Sequence, residues 1–91
     1  MGKIVDQFTK NATEEVRVSI TEFRGHQLID FRIYVEPKDG GERKPTKKGI
    51  TINVNLYPKL KKAILKAEKE LIKEGLIEEE ALEQITNEDA S

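Results

Sequence analysis

The chain has 91 residues, of which 36% are hydrophobic and 36% charged, with a formal net charge of −1 and no cysteine. That length suits one small domain with a limited core. Disulfides, thiolate metal sites and a cysteine nucleophile are excluded. No apolar run approaches the roughly 20 residues that a membrane helix needs, and the Met1–Asp6 start is not followed by a signal-peptide core, so a soluble cytosolic chain is expected.

Residues 1–14 carry little regular pattern and read as a loosely held, flexible arm with a turn near Asp6. Val16, Val18 and Ile20 then alternate with Arg17, Ser19 and Thr21, the period-two pattern of a half-buried strand. Gly25-His26 marks a tight turn. A second strand follows, with Ile29, Phe31, Ile33 and Val35 on one face and Asp30, Arg32 and Tyr34 on the other. The pair predicts a hairpin with one apolar side and one polar, partly basic side.

Pro37-Lys38-Asp39-Gly40-Gly41 has the chemistry of a loop. Arg43-Lys44-Pro45-Thr46-Lys47-Lys48-Gly49 is basic, and Pro45 makes it an edge strand or an extended loop. Ile50, Ile52 and Val54 alternate as a further strand. Asn55 is a candidate cap for a helix over 56–74, about 28 Å long at roughly 1.5 Å per residue, with Pro58 in its first turn and Gly75 as its stop. Leu56, Leu60, Ala63, Ile64, Ala67 and Leu71 repeat at helical spacing. A second short helix is expected over 78–86.

The expected class is therefore α+β: three or four short antiparallel strands followed by one long C-terminal helix. The organisation reads as an arm (1–14), a sheet-plus-helix domain (15–75) and an acidic helical extension (76–91). One sheet and one helix leave apolar surface uncovered, which a symmetric dimer would cover.

Catalytic chemistry is hard to assemble. His26 is the only histidine and lies in a turn, so no histidine pair can hold a metal. The Glu78-Glu79-Glu80 run reads as a solvated helix start. Phosphate-cradling glycine motifs are absent. No enzyme activity and no cofactor are expected.

The charge is segregated. Residues 17–62 hold eleven Lys and Arg against five acids, a net of +6, and residues 63–91 a net of −6. Arg17 and Arg32 share the polar face of the hairpin, Phe23 and Arg24 stand at its end, and Lys44, Lys47 and Lys48 flank Pro45 and Gly49. Cations for phosphates beside an aromatic for base stacking are the usual means of gripping a single nucleic-acid strand. Lys59, Lys61, Lys62 and Lys66 read instead as a solvated helix face.

Taken together, residues 18–62 resemble the positive-cofactor-four transcriptional coactivators and their bacterial and viral relatives. The most specific parts are Phe23-x-Gly25, Ile29-Asp30-x-Arg32-x-Tyr34 and Lys44-Pro45-x-Lys47-Lys48-Gly49-Ile50. The resemblance implies an α+β fold with a curved four-stranded antiparallel sheet followed by a long C-terminal helix, and a homodimer built on those helices. It also implies binding of single-stranded DNA with little sequence preference, melted duplex and RNA being further candidates, and a role in transcription or genome maintenance. The transcription machinery would be a further partner, and in a bacterium the protein would associate with the nucleoid. By motif, Phe23 would stack on bases, Arg32, Lys44, Lys47 and Lys48 would contact phosphates, and Arg17, Arg24 and Tyr34 would complete the surface. Within the motif Phe23 is either a stacking ring or hairpin core, and Tyr34 either a surface ring or a buried dimer residue. Val35 stands where the eukaryotic family carries a tryptophan, and Thr21 where a basic residue is often found. The alternative reading is a protein-docking module using the same sheet and the acidic tail.

Overall fold

The computed structural model describes residues 2–88. The chain forms two compact units, one ending at Tyr57 and one beginning at Pro58.

The first unit is a four-stranded antiparallel sheet of β1 (Lys3–Thr9), β2 (Glu14–Phe23), β3 (His26–Val35) and β4 (Lys44–Asn53), in the order β1-β2-β3-β4. The alternation in β2 and β3 holds. Val16, Val18 and Ile20 face Ile33, Phe31 and Ile29, while Arg17 faces Arg32, Ser19 faces Asp30 and Phe23 faces His26. Successive side chains leave a strand on opposite faces, so the sheet has one apolar and one polar side.

Three expectations about the sheet are corrected. Residues 3–9, read as a loose arm, are the edge strand β1, paired with β2 from Lys3↔Ile20 to Thr9↔Glu15. The register shifts between Ile4 and Asp6. Ile4 and Val5 are adjacent apolar residues, and this bulge is why the strand lacks a clean period of two. Residues 43–49 and 50–54, read as two pieces, fall, apart from Arg43 and Val54, in the single strand β4, which carries its own irregularity opposite Arg32–Tyr34. The hairpin turn is Arg24-Gly25, not Gly25-His26. Both turn residues are left-handed, at φ 51° and 81°, as in a type I′ turn, whose twist matches that of the flanking strands.

A short 3-10 turn over Val54–Leu56 follows β4. Its cap is Asn53, whose Oδ1 accepts the Asn55 N–H at 2.8 Å, so Asn55 is the capped residue and not the cap.

The second unit holds α1 (Tyr57–Lys73, its first residue belonging to the first unit) and α2 (Glu79–Glu88). Pro58 sits in the first turn of α1, where a missing N–H costs nothing. Gly75 ends the helix at φ 72°. The Leu76 N–H reaches the Leu71 carbonyl at 2.9 Å and the Gly75 N–H the Ile72 carbonyl at 3.0 Å, the paired bonds of a Schellman stop. No helix is long and apolar enough to cross a membrane among the described residues.

Candidate nucleic-acid interface

The centre of the polar sheet face is a network around Arg32. Its Nε and Nη2 donate to the Asp30 carboxylate at 2.9–3.2 Å. Nη1 donates to the Thr46 carbonyl at 3.1 Å and Nη2 also to Thr51 Oγ1 at 2.9 Å. The Thr51 hydroxyl in turn donates to Asp30 Oδ1. A guanidinium has five N–H donors, and four are engaged here. Burial works to raise the Asp30 pKa, but the hydrogen bonds from Arg32 and Thr51 outweigh it and hold the carboxyl below its ordinary value.

This network shapes β4. Between Gly49, opposite Arg32, and Pro45, opposite Tyr34, three residues stand opposite Ile33 alone. Thr46 donates through Oγ1 to the Ile33 carbonyl at 2.8 Å and accepts the Lys48 N–H at 3.1 Å. Lys47 and Lys48 thus ride on a bulge tied to β3 at Thr46 by two hydrogen bonds, and both are exposed.

A second cluster lies towards the Tyr34 end. The Arg17 guanidinium sits 4.2 Å from the centroid of the Tyr34 ring, a cation–π contact. Glu15, opposite Tyr34, accepts from Arg17 Nε through one oxygen and from Arg43 Nη1 at 3.3 Å through the other. Arg17 and Arg43 are therefore ion-paired within the chain.

At the far end, Phe23 is 59% exposed, which makes it a surface ring and not hairpin core. Arg24 stacks on it with its guanidinium 5.0 Å from the ring centroid. Eight residue steps along β2 separate Phe23 from Glu15, the partner of Tyr34, so the face runs about 26 Å between its two rings at roughly 3.3 Å per residue.

The structure thus brings Arg17, Arg32 and Tyr34 together on the polar face, with Phe23 and Arg24 at its tip and Lys47 and Lys48 on the β4 bulge. Lys44 is set apart: it pairs with Val35, on the register of the apolar face at the start of β4. Glu15, Thr46 and Thr51 were not singled out from the sequence. Their parts depend on cross-strand register, and Thr51 meets Asp30 only through the β3–β4 pairing. His26, opposite Phe23, shares the polar face. Among the described residues no three His, Cys, Asp or Glu side chains cluster to hold a metal.

The family model described as Transcriptional Coactivator p15 (PC4) matches residues 10–63. The chain is 41% identical over 59 residues to the RNA polymerase II transcriptional coactivator SUB1 of Saccharomyces cerevisiae. That match covers 65% of this chain but only 20% of the yeast protein. BPSL1147, a PC4 homolog from Burkholderia pseudomallei, superposes with a TM-score of 0.68 at 33% identity, covering 76% of this chain and 92% of that one. The MoSub1–DNA complex matches at a TM-score of 0.58 and 34% identity, covering 77% and 84%. The bacteriophage T5 homolog of PC4, at 21% identity, shares the fold over the whole chain with a TM-score of 0.64 and 97% of its own length covered. With the fold, the Phe23-x-Gly25 turn and the Lys44–Ile50 motif all in place, the chain belongs to the PC4 family of DNA-binding transcriptional coactivators.

Proposed function

We propose that this protein binds single-stranded DNA, with little sequence preference, along the polar face of its sheet, and that it does so as a homodimer without catalytic activity or cofactor. The observation that carries the reading is the exposed Phe23 ring on the same face as the Arg17–Tyr34 stack, with the exposed Lys47 and Lys48 on the neighbouring bulge. Rings accept any base, and lysines neutralise phosphates without reading sequence. In this reading Phe23 stacks, Arg24, Lys47 and Lys48 meet phosphates, Arg17 and Tyr34 form a stacked platform, and Lys44, on the register of the apolar face, stands outside the contact. Arg32 spends four of its five N–H donors inside the chain, so its main part is to hold the bulge, with one donor left for the strand. The MoSub1–DNA complex, a structural relative bound to DNA, supports the ligand class.

The dimer is supported by the want of a core. Among the described residues no side chain is fully buried, and Phe8, Ile20 and Ile50 on the sheet and Ile64 and Leu71 on α1 stay exposed. Tyr57, Leu60, Ile64, Ala67 and Leu71 recur at alternating three- and four-residue spacing, the seam by which helices pair. We place residues 15–75 as the binding domain, now with β1 as its fourth strand, and 76–91 as an acidic extension; Asp89 to Ser91 lie outside the described residues. A cytosolic or nucleoid location and contact with the transcription machinery follow from the same reading.

The test is fluorescence anisotropy of a labelled mixed-sequence 20-nucleotide strand at two salt concentrations. About four neutralised phosphates predict a log–log salt slope near −3. The Lys47→Ala, Lys48→Ala double variant should weaken all sequences alike and flatten that slope. No salt-sensitive binding by the unaltered protein would overturn the reading in favour of a protein-docking module.

A further inference from the structure

Helix α1 carries a feature that single-strand binding on the sheet leaves unused. Lys59, Lys62, Lys66, Lys69 and Lys73 follow one another at alternating three- and four-residue steps, so they form one line along the helix. The line spans about 21 Å at roughly 1.5 Å per residue. All five are exposed. Among the described residues none of them is in an ion pair; the pairs present involve only Lys10, Arg17, Arg32 and Arg43. At 3.6 residues per turn, Glu68 and Glu74 fall outside the row, Glu70 stands at its edge, four residues after Lys66 and three before Lys73, and the apolar seam of Leu60, Ile64, Ala67 and Leu71 falls on the far side of the helix. Covering the seam with a second copy would leave the row facing away from it.

Five like charges in register repel one another at four successive steps, and with Glu70 the one acid beside them the row costs the isolated helix stability. A regular polyanion removes that cost. We propose that this row is a second nucleic-acid site, which takes the phosphate backbone of duplex DNA. The proposal rests on the reading of the protein as a DNA binder but not on the sheet being the only contact. A duplex suits the row better than a single strand. The row has no aromatic to stack on bases, and double-stranded DNA presents a rigid backbone with about one charge per 1.7 Å of axis. Beside the row a groove of about 390 Å³ is lined by Pro58, Leu65 and the lysines 61, 62, 66 and 69. Leu65 and Pro58 are its only apolar residues, too few for an acidic helix, which anchors through several apolar side chains at successive turns.

The experiment uses the full chain and two probes, a mixed-sequence 20-base-pair duplex and the 20-nucleotide single strand, each titrated between 50 and 200 mM salt. Five lysines on duplex phosphates predict a slope of about −4.5, so about 500-fold weaker binding across that range. The Lys62→Gln, Lys66→Gln, Lys69→Gln variant keeps good helix formers on α1, and circular dichroism checks that its helix content is intact. It should reduce the duplex slope to about −2 and duplex affinity at least tenfold, while single-strand affinity stays within about twofold. The Lys47→Ala, Lys48→Ala variant should do the reverse. No salt-sensitive duplex binding by the unaltered protein overturns the proposal and leaves the single-strand reading standing. An equal loss on both probes in the row variant also overturns it, since the lysines then act only as a diffuse field. Binding of a labelled Glu-rich amphipathic peptide that the row variant abolishes, with duplex binding unchanged, makes the row a protein-docking surface and overturns it as well.

Discussion

The Phe31 carbonyl oxygen of β3 lies so close to Gly49 that position 49 has no room for a side chain of its own. A Cβ there would stand 3.2 Å from Arg32 Cζ, 3.0 Å from Arg32 Cα and in collision with the Phe31 carbonyl oxygen. The glycine is therefore needed less for a turn than for clearance, in the middle of β4 and directly across from Arg32. Gly49→Ala should force β4 away from β3. The expected loss is about 1–3 kcal/mol, the usual range for overfilling a packed site, read as a lower midpoint in urea. Because the Lys47–Lys48 bulge hangs on the same pairing, single-strand affinity should fall as well, although no cation has been removed.

Asp30 makes the sheet sensitive to acid. Its carboxyl is held below its ordinary value of 3.8 in the folded chain. The stability that it lends is therefore complete above about pH 4 and is lost as pH falls through the lowered folded value. Asp30→Asn should cost about 1.5–3 kcal/mol at pH 7, the range for hydrogen bonds to a charged group. It should also flatten the decline of stability below pH 4. Urea midpoints at pH 7, 4 and 2.5 for both proteins check this. A decline as steep in the variant as in the original would assign the acid sensitivity to other carboxylates.

How far the site could be read in advance depended on whether period two survived. In β2 and β3 it does, over ten residues each, and Arg17, Arg32, Tyr34 and Phe23 fall on one face as the sequence predicts. In β1 the Ile4-Val5 bulge breaks the alternation, and a strand that pairs along most of its length reads as an arm. In β4 Pro45 and Gly49 are both poor strand residues. Pro45 is tolerated on an edge strand, and Gly49 is required by the close approach of the β3 backbone at Phe31. The pairing of Arg43 with Glu15, and of Arg32 with Thr46 and Thr51, brings together segments 14 to 28 residues apart in sequence. No single stretch of sequence contains it.

Arg24 is a non-glycine residue held left-handed at φ 51°, a conformation that costs an L-residue about 1–2 kcal/mol. Its guanidinium lies on the Phe23 ring, a contact worth about 0.5–1 kcal/mol at an exposed site. Strain of this kind is characteristic of functional positions. Arg24→Asn places in the turn a residue that tolerates this conformation. It should raise the melting temperature by a few degrees, on the scale of about 4–8 °C per kcal/mol for a chain of this size. It should at the same time weaken single-strand binding and lower the salt slope by about 0.7. A variant that is more stable and binds as well as before would mean that Arg24 does not meet the strand.

Phe23 tests the stacking assignment itself. With the ring 59% exposed, truncation removes little burial, so Phe23→Ala should leave the urea midpoint within about 0.5 kcal/mol of the original, as for a surface change. If bases stack on the ring, the same change should cost about 1–3 kcal/mol of affinity, roughly 5- to 150-fold. The salt slope should stay unchanged, because no phosphate contact is lost. That combination separates Phe23 from its neighbours: Lys47 and Lys48 should move both affinity and slope. A flattened slope in Phe23→Ala would mean that the ring acts by holding Arg24 in place. Unchanged affinity would move base stacking to the Arg17–Tyr34 pair at the other end of the face, where Tyr34→Leu becomes the deciding variant.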